Sequence, residues 1–420
     1  MRRLRLLWVA LIVASGSLWM LTPAAAVEPG ESAFERTWTR TDLPVQANQA
    51  VRTWMWGPAA FTAAMEEPYT EGPGEVRIVQ YFDKSRMEIT TDPNVDPNSV
   101  WYVTNGLLVV ELITGRLQYG NNDFAQFEPA EVNIAGDAGD PLAVTYAALA
   151  KRLDDEPTPV GTVITATVDE NGNLEHSDFF GTEFGVTAGY YVPETNHTVA
   201  TPFWEFMTSS GTIYQDGNYT EGQLFEDPFF ATGYPISEAY WTVVQVGGTL
   251  TQVMLQCFER RCLTYTPSNP PEWQVEAGNV GQHYYRWRYQ TDIPAEPPAP
   301  AGVETEPLGP ALLLDWPVGN QGQATVSFGN QAPYPMTVTL DGPVTRTIEL
   351  PACDDCPIYT QSAPPGACRE DIPWHDETLP PGNYRVHLSW SGSNTLPLAG
   401  PQTYVPDAQY GTCFFIVEGS

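Results

Sequence analysis

The chain has 420 residues, of which 51 are Asp or Glu and 19 are Lys or Arg, a net charge of 19 − 51 = −32. A surface this negative repels phosphate backbones, and no basic patch offsets it, which argues against nucleic-acid binding. A hydrophobic content of 42% rules out global disorder, and at roughly 100 to 200 residues per domain the length allows two or three separate cores.

At the N-terminus, Arg2, Arg3 and Arg5 precede an apolar run through Leu21 that ends in Pro23-Ala24-Ala25-Ala26. This pattern reads as a secretory signal peptide over residues 1–26 with an A-x-A cleavage site. A retained single-span anchor is the alternative, although Ser15, Gly16 and Ser17 interrupt the run. Removing the signal takes three arginines with it, so the mature chain stands at 16 − 51 = −35. No further membrane span is expected, and the protein is expected outside the cell or on its surface. All six cysteines lie downstream, at Cys257, Cys262, Cys353, Cys356, Cys368 and Cys413. In an exported chain an even number reads first as disulfides.

Most of the mature chain reads as strand, in runs such as Val160 to Val168, Val243 to Cys257, Met336 to Leu340 and Tyr384 to Trp390, broken by Gly, Pro and Asn. Asn171-Gly172 predicts a hairpin turn, because this pair accepts positive φ angles. One helix is predicted from Asp140 as cap and Pro141 as first residue, with Leu142, Tyr146, Leu149 and Leu153 on one face. A shorter one is expected at Thr201-Pro202, turning Phe203, Phe206 and Met207 inward. The proline-rich stretch Asp292 to Pro300 reads as an extended linker.

Three pairs of segments match internally. Gln80 to Arg86 corresponds to Gln256 to Cys262 at an offset of 176. Trp101-x-Val103-x-x-Gly106 corresponds to Trp273-x-Val275-x-x-Gly278 at 172, and Glu67-Pro68-Tyr69 to Glu238-Ala239-Tyr240 at 171. The organisation that follows is a first β-rich unit over 27–120, an insertion over 121–200, a second unit over 201–290, a linker over 291–310 and a C-terminal domain over 311–420. In the second unit, Glu259 and Arg260 as turn residues would set Cys257 opposite Cys262, at a Cβ separation of roughly 4.5 to 5.5 Å that a disulfide can close. Two separate thiols, or bridges elsewhere, are the alternative.

The second unit resembles the LGFP-type cell-wall repeat. The resemblance rests on Gly233-Tyr234-Pro235, Glu238, Phe258, Leu263-Thr264-Tyr265, Val275-x-x-Gly278-x-Val280 and Tyr285-x-Trp287, with Arg261 where that family has a turn glycine. The whole chain also resembles exported bacterial β-rich proteins built from Q-x-F-[DE] blocks. Both resemblances imply an envelope-facing binding or structural role. The C-terminal region reads as an immunoglobulin-like β-sandwich, from strand runs Ala324 to Phe328, Met336 to Leu340, Thr345 to Leu350, Tyr384 to Trp390 and Cys413 to Val417. Its Leu379-Pro380-Pro381-Gly382-Asn383-Tyr384 is similar to a strand opening seen in many extracellular sandwiches. The fold class is therefore mainly β, two related units with a small helical insertion followed by a sandwich.

No nucleophile elbow, zinc-protease helix or P-loop occurs in the mature sequence. Asp83, Glu88, Glu238 and Glu259 sit at comparable places in the two units and could supply a paired acid and base for glycoside hydrolysis, or ion pairs with Arg86, Arg260 or Arg261. Asp92, Asn94, Asp96 and Asn98 alternate as in calcium loops, with Pro97 where such a loop wants glycine; a solvated turn is the default reading and calcium the alternative. Asn133, Asp137 and Asp140 form a second such set. Cys353-Asp354-Asp355-Cys356 could begin a zinc site but lacks a second C-x-x-C, so bridges are preferred. Trp101, Trp273, Trp287 and Tyr289 recur in or beside the repeat, and His283 falls in an aromatic cluster; all five are candidates for stacking on sugar, with core packing as the alternative. The reading is a non-catalytic, exported, cell-envelope-associated protein that binds cell-wall or extracellular polysaccharide and needs no cofactor, calcium at the Asp92 loop being the one candidate. The alternative is a secreted carboxylate-dependent glycan hydrolase.

Overall fold

Gln80 and Gln256 occupy the same place in two copies of one fold. In the computed structural model, which describes residues 31–290, 305–309, 311–315, 317–360 and 368–417, the first copy is an antiparallel sheet of Met65–Pro68, Val76–Phe82, Ser85–Ile89 and Val103–Asn105, followed by the helix Leu108–Thr114. The second repeats this order with Tyr240–Val246, Thr249–Cys257, Cys262–Tyr265 and Val275–Ala277, then the helix Val280–Tyr289. The signal sequence and the proline-rich linker lie outside the described residues.

The registers agree at the predicted offset. Tyr81 pairs with Arg86 in one hairpin and Cys257 with Cys262 in the other, and Phe82 and Phe258 are both buried. Each hairpin is held to an upstream segment by the same three bonds. Gln80 Nε2 donates to Thr62 O while Thr62 Oγ1 accepts from Tyr81 N. Gln256 Nε2 donates to Ser237 O, and Ser237 Oγ accepts from Cys257 N. A backbone bond follows in each copy, from Phe61 N to Tyr81 O and from Ile236 N to Cys257 O. A fully buried amide needs such partners, because an unmade bond costs roughly 1–3 kcal/mol.

The third sequence match is corrected by these registers. Met65 pairs with Val79 and Tyr240 with Leu255, so the upstream strands correspond at 240 − 65 = 175. Glu67 is therefore the counterpart of Thr242, not of Glu238. Short strands with shared Glu and Tyr permit a false alignment that hydrogen bonding does not.

The two copies are joined reciprocally. The helix of the first starts on the turn of the second, with Val110 N donating to Glu259 O. The helix of the second starts on the turn of the first, with Gly281 N donating to Asp83 O. A Cβ on Gly281 would lie 1.9 Å from Phe82 O, so only glycine permits this approach.

Between the copies, the Asn171-Gly172 turn joins Ala166–Val168 to Leu174–His176, with Gly172 at φ +74°, and this hairpin extends the second sheet. The expected strand from Val160 is shorter, and Val160 and Val163 are exposed. The run Val243 to Cys257 is two strands, turned at Gly247-Gly248 where both glycines have positive φ. The helix expected from Asp140 is displaced. Asp140 Oδ1 accepts from Leu142 N in a turn that does not continue as helix, its Oδ2 accepts from Gln245 N at 2.6 Å, and the helix Tyr146–Leu149 is capped by Thr145, whose hydroxyl accepts from Ala148 N. The helix Thr201–Met207 forms as expected, with Phe203 and Met207 buried. The following hairpin, Ser210–Gln215 with Asn218–Gln223, has no counterpart in the first unit.

The C-terminal region is a sandwich of two sheets. One contains Met336–Asp341, Arg346–Leu350, Gly382–Trp390 and Leu398–Tyr404; the other contains Ala324–Asn330, Trp374–Leu379 and Gln409–Phe414. It is not an independent bead on a linker. Asn383 Nδ2 donates to Phe61 O, the hydroxyl of Thr403 accepts from Ala63 N, and the apolar cores of sandwich and first unit are continuous. Among the described residues, no helix is long and apolar enough to cross a membrane.

Candidate ligand-binding site

The five aromatic and histidine candidates do not converge. Trp287 and Tyr289 are buried: they lie on the core side of the last helix, where Trp287 Nε1 donates to Glu128 O and Tyr289 OH to Glu67. Neither presents a face to a ligand, because the packing of that helix on the first sheet uses its rings as core. His283 is half-buried with Nδ1 against Tyr146 OH at 3.1 Å. Burial, with Arg286 and Lys84 nearby, lowers its pKa to about 4, so it is neutral at pH 7. Trp101 and Trp273 occupy equivalent short helical turns, Val100–Tyr102 and Pro271–Trp273. Trp101 is 41% exposed and packs its edge on Phe230; Trp273 is half-buried.

The carboxylates are engaged elsewhere. Glu238 is buried and accepts from Thr158 N, Thr198 N and His197 Nδ1. Glu259 Oε2 accepts from Tyr234 N, and Asp83 Oδ1 from Gln282 Nε2. Glu88 is paired with Arg77 and Arg86. The Asp92 loop is two successive Asx turns, in which Asp92 Oδ1 accepts from Asn94 and Asp96 Oδ1 from Asn98, all four residues exposed. Asp137 caps the Gly247-Gly248 turn with both oxygens, and Asn133 Nδ2 donates to Asp137 O and Asp140 O. Each set thus satisfies its own backbone rather than converging on a point. The cysteines pair as Cys257–Cys262, Cys353–Cys356 and Cys368–Cys413, which removes the C-x-x-C thiolates from metal chemistry.

A different set of rings forms a contiguous surface strip. Tyr190, in the strand Ala188–Val192, lies parallel to Trp204, in the helix Thr201–Met207, with centroids 3.8 Å apart. Trp204 meets Phe229 at 5.9 Å, and Phe229 meets Tyr234 at 4.9 Å. Tyr190 is 40% exposed and the other three are half-buried. The insertion supplies one of these rings, Tyr190, and the second unit the other three, so the strip exists only when the two are packed together. Gly233 sets the last ring: its φ is +69° and a Cβ would lie 2.7 Å from Glu259 Cβ. That leaves Glu259 free to hold the Tyr234 amide. The sequence signal for the strip was Tyr234 in its Gly-Tyr-Pro motif; the other rings come from strand and helix positions that nothing in the linear pattern joins.

Two clefts of about 530 Å³ are present, one between the first and second units and one on the first unit. One runs between the helix Ser32–Thr41 and the hairpin at Tyr214, above Trp56 and Phe230. The other is polar, lined by Tyr69, Arg77, Glu88, Asp92, Thr104 and Asn121, with the Arg77 guanidinium stacked 4.5 Å from the Tyr69 ring. Neither Glu238 nor Glu259 lines them. No family model, curated protein or solved structure matches the chain.

Proposed function

We propose that this is a non-catalytic, exported, cell-envelope-associated protein that binds cell-wall or extracellular polysaccharide through the Tyr190–Trp204–Phe229–Tyr234 strip. The observation that carries the reading is the strip itself. Aromatic faces carry partial negative charge and attract the polarised C–H groups on one side of a pyranose ring, and contiguous rings that reach a protein surface in part mark interaction sites. The LGFP resemblance, in whose motif Tyr234 lies, supports the same reading, as do the three disulfides, which persist in oxidising compartments.

Retention of the mature protein on insoluble cell-wall glycan tests it. Trp204→Ala should lower the bound fraction about tenfold, since removing a stacked ring forfeits roughly 0.5–1.5 kcal/mol beyond its area. Glu259→Gln, which keeps an oxygen for the Tyr234 amide, should bind as the wild type does. Equal retention of Trp204→Ala would sink the proposal, and glycan cleavage abolished by Glu259→Gln would replace it with the hydrolase.

A further inference from the structure

A half-open cavity of about 370 Å³ lies between the two sheets of the sandwich, with Glu31, Glu66 and Ile78 of the N-terminal body at its edge. Phe328 and Phe414 wall it from one sheet, Val386 and Tyr404 from the other, and Leu308 and Leu312 form a lip. The walls are buried core residues, yet they leave space, unlike the close-packed interior expected of a sandwich. Polar groups break the apolar lining, Gln402, Glu31 and Glu66 among them. Gln402 lines the cavity, donates through Nε2 to Gly309 O, and has its buried Oε1 without a hydrogen-bond partner. Glu31 and Glu66 reach the cavity from the N-terminal body. Glu66 Oε2 accepts from Leu313 N, and among the described residues neither Glu31 nor Glu66 forms an ion pair. Among the described residues no lysine or arginine lines the cavity.

We propose that this cavity binds a single-chain amphiphile with a cationic head, its alkyl chain between the sheets and its ammonium group at Glu31 and Glu66. The apolar walls select the chain, since apolar cavities stay dry and accept apolar guests. Two carboxylates without a cation select the head, and a carboxylate-headed chain would meet like charge. The unpaired Gln402 oxygen offers an acceptor to an N–H. At the low end of ligand-pocket volumes, the space suits one chain and not two. Burial raises the pKa of both carboxyls, against which the Leu313 amide acts at Glu66; an ammonium partner would favour their ionised forms.

Calorimetric titration of the mature protein with alkylammonium chlorides below their micelle concentrations tests this. Affinity should rise about fourfold per methylene from the hexyl compound, the factor expected for burying each CH₂, and then level off when the cavity is full. Decanoate should bind about tenfold more weakly than decylammonium. The double substitution Glu31→Gln, Glu66→Gln should reduce decylammonium affinity about tenfold and leave decanol unchanged, which separates head from chain even if other cavity variants fail to fold. The proposal is overturned if decylammonium shows no saturable one-site binding, if affinity climbs without a plateau, or if decanoate binds equally well. Because this site is remote in sequence from the aromatic strip, glycan retention should be unaffected by the double substitution.

Discussion

The two hairpins follow one backbone path and are held together by different chemistry. In the first, the cross-strand pair is Tyr81 and Arg86, and Arg86 enters a buried ionic network. Glu67 faces Arg86 at 3.1 Å, Arg288 at 3.3 Å and Arg77 at 3.9 Å, and accepts hydrogen bonds from Tyr81 and Tyr289 at 2.6 Å. Glu88 binds Arg77 and Arg86, while Glu111 accepts from Tyr284 at 2.5 Å. Three arginines thus face three carboxyls, with Arg86 also over the Tyr284 ring. In the second hairpin the same two positions are Cys257 and Cys262, joined covalently. What both copies share is the Gln clamp and the buried Phe. The backbone register is therefore set by those, and the cross-strand pair is free to vary. The comparison also assigns sensitivities: the first unit should respond to pH and the second to reductant.

The largest effect that could break this comparison is Glu67→Ala. It leaves three buried guanidinium groups without their shared partner, and removing one member of a buried pair costs about 3–5 kcal/mol; urea unfolding of the mature chain should show that loss, and a loss under about 1 kcal/mol would mean the network is dispensable. Acid should reproduce much of it. Burial alone would raise the Glu67 pKa, but Arg288, Arg86 and Arg77 bring it from 4.5 down to about 2. A depressed carboxyl contributes stability above its unfolded pKa and loses it as pH falls toward the folded value. Roughly 3 kcal/mol should therefore disappear between about pH 5 and pH 2, and a Glu67→Gln variant should lack that slope. Asp42 has the opposite sign. Burial raises its pKa to about 6 although Met55, Trp56 and Gly57 donate to it, so its term weakens the fold as pH rises from about 4 to 6.

A smaller effect is expected at the second hairpin. Replacing Cys257 and Cys262 together by alanine should cost about 2 kcal/mol, the loop-entropy value for so short a loop, with no change in the acid slope; differential scanning calorimetry at pH 7 and pH 4 would measure both. The finest test compares the clamps. Gln256→Leu orphans Ala200 N as well as two carbonyls and should cost about 1–3 kcal/mol. Gln80→Leu should fall in the same range, and a neutral effect at either position would show that the shared clamp does not set the register.

Linear reasoning reached the hairpins because they are local. Glu259 and Arg260 are poor residues for a primed turn, and the structure shows why they serve: neither has positive φ, and the turn is held by Glu259 N to Tyr234 O and Arg260 N to Thr232 O. The Cys257–Cys262 bridge is the pairing favoured by the register, the turn length and the export signal, and the structure contains it. The short helix at Thr201 followed from Pro202 and its apolar face. By contrast, Asp140 could be read as a helix cap only while Gln245, more than a hundred residues away, was out of view.

What the amino-acid order determined by itself was whatever depends on a few neighbouring residues: period-two strands, the Asn171-Gly172 turn, the duplicated blocks and the disulfide across one hairpin. Tertiary structure decided which aromatic rings are core and which are surface. Trp287 and Trp204 both sit on short amphipathic helices, and only the partner of each helix separates them, the first sheet that buries one and the half-exposed edge beside Tyr190 and Phe229 for the other. It also decided the charges, gathering Glu67, Glu88 and Glu111 with Arg77, Arg86 and Arg288 from strands and helices up to 221 residues apart (288 − 67). Local sequence carries backbone preference, but burial and charge pairing are properties of the whole packed chain, and no short window contains them.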